Sequence, residues 1–446
     1  MEILEKSLMM LEKYPLCDHC LGRQFALLGY EMDNGERGGM IKTLLVMEGH
    51  RLAMAKDKRG FSILKTLASN GSSTMAAEIL KKLRKRARGQ KKCSLCEGRF
   101  DSSELVNKAV EMLKEYEYET FLVGVRLPIE VEEREDEFKA EFLVQYSESL
   151  RNEFSRVVGK MVLKIVNKSV DYMKPEVVVI VNPFTEDVEL HVNPLFIMGR
   201  YRKLERGIPH SKWICPECGG KGCSRCDWTG KMHAESVEEL ISSPTLKETF
   251  GEDASFHTAG REDVDARMLG RGRPFIIEIK RPKKRSLDLS ELEERTNREA
   301  RGKIKVSNLR FVDKGAVKRL KQTEGSEKLY KVVVEFDRGV SDEELETLVR
   351  SFTNAIIHQQ TPSRVLHRRT NLIREKYIYE TKVRRLAENT IEMRIRCQGG
   401  LYIKELITGD EGRTKPSVAE AIKAKATPIE LDVLNIFTEG REASKR

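Results

Sequence analysis

Eight of the nine cysteines in this 446-residue chain fall in four Cys-x-x-Cys pairs: Cys17/Cys20, Cys93/Cys96, Cys215/Cys218 and Cys223/Cys226. Two thiolates at that spacing can converge on one ion, and four complete a tetrahedral zinc shell. Residues 215–226 form a self-contained set, because Gly219, Gly220 and Gly222 permit the chain reversal that turns the second pair toward the first. The pairs 17/20 and 93/96 are separated by 72 residues and join in a second site by elimination. The alternative is that one of them is a buried dithiol. A redox pair of the thioredoxin kind would be single, and disulfides do not suit a large chain in a reducing compartment. Sites with four thiolates and no open position are structural, so two zinc ions are expected to couple their binding to folding, and no cysteine is expected to be a catalyst. Cys397, the one left over, reads as a buried strand residue.

A second concentration of chemistry lies in the string Phe256-His-Thr-Ala-Gly-Arg-Glu-Asp-Val-Asp-Ala-Arg-Met-Leu-Gly-Arg-Gly-Arg-Pro-Phe275, which sets Glu262, Asp263 and Asp265 in one loop after a short extended run. Cationic side chains recur elsewhere. Lys81–Arg88 and Lys280–Arg285 are basic runs, and Arg364–Arg385 holds Arg364, Arg368, Arg369, Arg374, Lys376, Lys382, Arg384 and Arg385 with Tyr377 and Tyr379 interleaved. Cations for phosphates beside aromatics for bases make the footprint of an RNA groove. The formal charge of +10 is spread over both halves of the chain, as a large polyanionic partner requires.

The elements that must position these groups form an α+β protein. Residues 1–100 read as a helical zinc-binding module: Leu4, Leu8 and Leu11 share a helix face that Pro15 ends, and Ile79, Leu80 and Leu83 mark another helix. Residues 101–206 alternate element types. A helix at Leu105–Leu113 leads to an extended stretch at Thr120–Arg126, an acidic loop at Glu130–Glu137 and a strand at Phe138–Val144. A long helix carries Leu150, Phe154, Val157, Met161 and Ile165, and strands follow at Glu176–Val181 and Asp187–Val192. Residues 207–233 read as a zinc knuckle linker, and residues 234–446 as the domain that carries the chemistry. No apolar run approaches the roughly 18–20 residues that a membrane span needs, and Met1–Tyr14 does not have the pattern of a signal peptide. A cytoplasmic, monomeric protein with no membrane partner is expected.

Val188–Leu204 resembles the end of a THUMP domain, a module of tRNA-modifying enzymes that binds the acceptor end of tRNA. The Gly-Arg-x-Asp segment at 260–263 resembles the catalytic loop of pseudouridine synthases, and the longer string 256–275 resembles the archaeal and eukaryotic tRNA pseudouridine synthases of the Pus-ten type. Lys328–Val334 resembles that family's strand with an active-site tyrosine, and Gly399–Ile407 its strand with an apolar residue and a basic partner. Both cysteine sets fit the resemblance, which covers nearly the whole chain. It implies a C-terminal domain with a central mixed, largely antiparallel sheet flanked by helices. Asp263 would be the one essential carboxylate, working at the ribose–uracil linkage by attack at C1′, by attack at C6 or by removing a ribose proton. Tyr330 would stack on the base, with Tyr402 as a second base-side residue and Ile403 as an apolar wall. Lys404 or Arg261 would pair with Asp263. The substrate would be uridines 54 and 55 in the T-arm loop of tRNA, with the acceptor stem gripped by the N-terminal half, and no cofactor would be needed for catalysis.

Three rivals can be weighed on residues. A methyltransferase would need a glycine-rich loop opening a helix, but Gly270-Arg-Gly272 runs into Pro274 and a strand. A thiouridine synthase would need a phosphate-cradling loop, and the chain offers none. A non-catalytic tRNA-binding chaperone of the same fold would not need Asp263, Tyr330 and Lys404 together.

Overall fold

The computed structural model describes residues 3–367 and 369–437, so Arg368 of the basic stretch lies outside the described residues. The chain forms two compact units, Met1–Asn193 and a second that begins at Pro194. No helix among the described residues is long and apolar enough to cross a membrane.

In the first unit, helices at Ile3–Lys13, Asn34–Met54, Lys58–Ser69 and Thr74–Lys82 bury Met10, Leu11, Leu45, Leu64, Leu67 and Leu80 together with Cys20, Cys93 and Cys96. Beyond them stands a four-stranded sheet in the order Ser169–Val170, Thr120–Val125, Val177–Asn182, Asp187–Val192. The middle pair is parallel, and helices Ser103–Leu113 and Leu150–Val166 share its core. Residues 1–100 are therefore not a separate module within this unit. Leu127, Val131, Phe138, Leu150 and Phe154 belong to the same core as the N-terminal helices. Its polar anchor is Arg23, fully buried and ion-paired with Glu135, whose carboxylate also accepts from the Leu150 backbone N–H at 3.0 Å.

Two expectations fail here for one reason. The acidic stretch read as a loop, and the strand read after it, are a single helix, Ile129–Glu141. Val131, Glu135 and Phe138 are its buried residues, a helical spacing that the density of glutamates hid. The long helix Leu150–Val166 is present, but it is rotated from the expected stripe. Val158 and Val162 face inward, while Ile165 is exposed.

The second unit is built on a ten-stranded mixed sheet. Its order is Thr414–Lys415, Ala355–Gln360, Ile373–Ala387, Thr390–Cys397, Glu327–Phe336, Ala426–Phe437, Ala266–Lys280, Leu195–Lys203 and Ile304–Phe311, with Asp253–Thr258 added along Ala266–Lys280. All but one of these pairings are antiparallel; Ala426–Phe437 runs parallel to Ala266–Lys280. Helices such as Asp342–Phe352 and Val237–Thr249 flank the sheet. The strand Leu195–Lys203, read as the close of the first half, lies inside this sheet, pairing with Ala266–Lys280 on one edge and Ile304–Phe311 on the other. Its residues alternate between buried and half-buried, as where one face of a sheet packs on a core.

Strand Ala266–Lys280 pairs with Ala426–Phe437 through Ala266–Met268, and with Asp253–Thr258 only from Phe275 onward. Gly270 and Gly272 sit at the change of partner with φ of +57° and +76°. A Cβ on Gly270 would meet the Leu434 carbonyl oxygen at 1.9 Å, so the crossing needs glycine there.

Glu135→Ala leaves the buried Arg23 guanidinium without its carboxylate. It should lower the stability of the first unit by about 3–5 kcal/mol in urea denaturation, and a loss below about 1 kcal/mol would show that the pair is not needed.

Candidate active site and metal centres

The loop of residues 259–265 is held from beneath by charged groups that face inward. Glu262 is buried and accepts from the Tyr201 hydroxyl at 3.0 Å and from Arg273 Nε at 2.9 Å. Arg273 also donates to the Ala259 carbonyl at 2.9 Å. Burial works against the charge on Glu262, but the Arg273 guanidinium, with the Lys203 ammonium, outweighs it and sets the carboxyl below its usual range. Lys203, fully buried, donates to the carbonyls of Ile208 at 2.8 Å and of Asp263 and Val264 at 3.0 Å each. Burial pulls its ammonium below the ordinary lysine range. Desolvation likewise brings the neighbouring His210 imidazole down to about 4, so it is neutral near pH 7, and its Nε2 lies 3.0 Å from the Thr258 hydroxyl.

With Glu262 turned inward, the Asp263 carboxylate is left half-exposed on the other side of the loop. Arg364 approaches it with two nitrogens, at 3.3 and 3.2 Å, and Lys404 stands 3.6 Å away. Arg364 is fixed in turn by Glu405 at 2.6 Å, and its guanidinium carbon lies 5.9 Å from the centre of the Tyr402 ring. Lys404 holds Asp265 more closely, at 2.6 and 2.7 Å. Of the two cations expected to pair with Asp263, Lys404 faces it, while Arg261 is exposed and makes no ion pair with it among the described residues; Arg364 is the second partner.

Tyr330 lies on the strand Glu327–Phe336, opposite Ile395 and Val433, and packs against the cores on both sides. Burial pushes its phenol above the usual tyrosine range, and Asp263 and Glu262 add to the effect, so ring and carboxylates share one electrostatic environment. Tyr402 and Ile403 are not on a strand. Tyr402 caps the helix Ile403–Thr408, and the buried Gln359 side chain holds it by accepting from its N–H at 2.8 Å and donating to its carbonyl at 3.0 Å. Ile403, Leu406 and Ile407 fall on the helix's inner face, and Ile403 is part of the core. The helix lets Tyr402 and Lys404 both reach the loop side while Ile403 packs inward.

Several groups in this cluster have no motif of their own. Lys328 shares Tyr330's sheet face; burial and the nearby Arg273 bring its ammonium down to about 8. Arg364 stood in the sequence as one of many basic residues. Tyr201 and Lys203 had a detectable signal, since a lysine in the inward register of an alternating strand marks a buried charge that needs partners. Cys397 is fully buried on its strand, as expected.

The eight paired cysteines gather into two sets, Cys17/Cys20/Cys93/Cys96 and Cys215/Cys218/Cys223/Cys226, with the sulfurs of each within 4.8 Å of one another. A tetrahedron with metal–sulfur bonds of about 2.3 Å has edges of about 3.8 Å. Cys215–Cys223 and Cys218–Cys226 are separated by 3.8 Å, Cys223–Cys226 by 3.7 Å and Cys17–Cys96 by 3.5 Å, all far beyond a disulfide bond of about 2.05 Å. Backbone N–H groups of Gly222 and Gly230 donate to Cys218 and Cys226 sulfurs at 3.2 Å, the contacts that thiolates favour. Both sets can hold a metal ion.

A partly exposed carboxylate approached by two cations, Arg364 and Lys404, makes Asp263 the candidate catalytic group of an enzyme site. The family described as "Pus10, C-terminal" matches residues 196–437, and "Pus10 THUMP domain, archaeal" matches residues 105–182. The chain is 43% identical over 446 residues to "tRNA pseudouridine synthase Pus10" of Methanocaldococcus jannaschii, covering 98% of this chain and 94% of that one. It is 40% identical over 439 residues to the protein of the same name from Methanothrix thermoacetophila, with coverage of 98% and 94%. Among solved structures, a chain of a Cbf5-Nop10-Gar1 complex aligns with 53% of this chain and 48% of its own length, at 13% identity and a TM-score of 0.31. The chain belongs to the Pus10 family.

Lys203→Met removes the donor to three buried carbonyls while leaving every group on the exposed side of the loop. Turnover should fall by more than about tenfold with RNA affinity nearly unchanged, and Lys203→Arg should not restore it because the buried space fits an ammonium. A parallel loss of affinity in filter binding would place Lys203 in RNA recognition instead.

Proposed function

We propose that this protein is a tRNA pseudouridine synthase that isomerises uridine in the T-arm loop, at positions 54 and 55, with Asp263 as the essential carboxylate. The observation that carries this reading is the Asp263 carboxylate, the one acid of its loop that is both half-exposed and held by Arg364 and Lys404. The reaction breaks the N1–C1′ bond, forms a C5–C1′ bond, moves a proton off C5 and places one on N1. Atoms and electrons balance without an oxidant or a second substrate. An anionic carboxylate at the ribosyl centre can stabilise or trap it while the base turns, and the two cations hold that carboxylate in place. Tyr330 lies against the base near C5, Tyr402 borders it on the other side, and Ile403 backs the pocket wall through the core. Drawing the uridine from its loop stack costs a few kcal/mol, which stacking of about 1–3 kcal/mol on an aromatic ring helps to offset.

The remaining parts fit a monomeric cytoplasmic enzyme whose first unit, with its THUMP match, grips the acceptor stem. Zinc is the ion that suits both sets of four thiolates, and both sites are structural, since no ligand position is open. Metal analysis of the purified chain should find about two zinc ions per molecule, and Cys218→Ser should reduce this to about one. A metal-free, folded wild type would remove the zinc assignment.

The decisive experiment incubates the chain with an unmodified tRNA transcript and maps pseudouridine by carbodiimide-blocked primer extension. Stops at positions 54 and 55 are expected with the wild type and none with Asp263→Ala. The variant should still bind the transcript, with affinity falling steeply as salt rises. Product elsewhere in the tRNA would overturn the T-arm assignment, and equal product from Asp263→Ala would overturn the catalytic one.

A further inference from the structure

The chain contains two tryptophans, Trp213 and Trp228, and both lie on the second cysteine hairpin. Neither is used by the fold as a core residue. Trp228 is 77% exposed and Trp213 41% exposed, with Ile214 and Met232 also turned to solvent. An apolar ring left that far in water is informative where its surroundings hold it there.

The hairpin does hold it. Cys215 N–H donates to the Gly230 carbonyl at 2.9 Å, Met232 N–H donates to the Trp213 carbonyl at 3.0 Å, and Ile214 bridges Lys231 between them. The Trp213 ring meets His233 edge-on, with centroids 5.1 Å apart. At the far end, Asp227 and Trp228 both take left-handed backbone conformations, with φ of +48° and +60°. For a bulky residue that region is strained and persists only where the surroundings over-determine it. Here they do: Trp228 N–H donates to the Cys223 carbonyl at 2.9 Å, and Gly222 packs so closely that a Cβ on it would stand 2.7 Å from the Trp228 carbonyl oxygen. The cysteine set is therefore a rigid base that projects the indole outward.

Lys212 precedes Trp213 and Lys221 lies on the same hairpin, and neither makes an ion pair among the described residues, whereas Arg225 and Lys231 are paired with Glu217 and Glu239. An outward indole beside unpaired ammonium groups matches a nucleotide, with an aromatic face for the base and positive charge for its phosphate. An apolar peptide would leave those ammonium groups unanswered. We propose that the second cysteine hairpin is an RNA-stacking platform, distinct from the Asp263 site, which receives an unpaired base of the bound RNA on Trp228 and its phosphates on Lys212 and Lys221. The inference rests on the reading of this chain as a tRNA-binding enzyme. It adds a contact that grips single-stranded nucleotides without reading their sequence.

Because both tryptophans lie on the hairpin, selectively excited tryptophan emission, free of the 11 tyrosines, reports on this surface alone. The zinc-loaded full chain is titrated with an unmodified tRNA transcript, a short single-stranded oligouridylate and an RNA duplex, while binding is followed independently by the anisotropy of labelled RNA. Quenching of tryptophan emission by tRNA and by the single strand is expected, with little quenching by the duplex. Trp228→Ala should weaken tRNA binding by roughly 5- to 150-fold, and Trp228→Phe should retain most of it. Both variants should keep the wild-type metal content, since the ring is outside the core. Binding of tRNA with unchanged emission and unchanged affinity of Trp228→Ala would overturn the platform alone. So would equal quenching by the duplex, or quenching only by an added protein fraction. No binding of tRNA by anisotropy would overturn the substrate reading and the platform with it.

Discussion

The structure of the site depends on one buried charge cluster beneath the loop of residues 259–265. Glu262, Arg273 and Lys203 are all withdrawn from water, and a buried charge without partners would cost several kcal/mol. Each is satisfied by the loop or by another member: Glu262 by Tyr201 and Arg273, Arg273 by the Ala259 carbonyl, Lys203 by three carbonyls. The same contacts that remove the desolvation penalty fix the backbone on either side of Asp263. Misplacement of a reacting group by about 1 Å can cost a hundredfold in rate, so rigidity here has a direct functional meaning.

That cluster divides three neighbouring acids into three roles. Glu262 is consumed by the scaffold, Asp265 is held by Lys404 alone and stays largely exposed, and Asp263 stands partly exposed between Arg364 and Lys404. Arg364 is the hinge of the exposed side, since it joins Asp263 to the buried Glu405 and lies near the Tyr402 ring. The loop is thus braced from two sides by charges on strands and helices distant in sequence. Cysteine hairpins brace other parts of the chain by the same logic of converging on one point, there through sulfur rather than hydrogen bonds.

How much of this was legible differs by feature. The cysteine pairs and the set 215–226 were, because ligand spacing is local, while the joining of 17/20 with 93/96 across 72 residues followed only by elimination. So was the loop that carries Asp263, through the resemblance of 256–275. The helix Ile129–Glu141 was not, because three inward residues among many glutamates carry a weak apolar signal, and one of the three is Glu135 itself. Tyr402 and Ile403 were placed on a strand because the short apolar run around them fits either element; tertiary packing of Ile403, Leu406 and Ile407 decides for a helix. The sheet that takes Leu195–Lys203 is not legible in the strand itself, because pairing with residues far along the chain leaves no mark in the strand's own sequence.

By itself the sequence determined the α+β composition, the four cysteine pairs and the self-contained donor set 215–226 from residue types at short range, and the loop that bears Asp263 through its resemblance. Only the tertiary structure decided which cations face Asp263, choosing Lys404 over Arg261 and adding Arg364, and which strand supplies Lys203 beneath it. The physical reason is that charge pairing depends on distance in space. Lys203 on a strand 60 residues before Asp263 and Arg364 on a helical turn 101 residues after it meet the loop only when the unit folds, and no local pattern records that meeting.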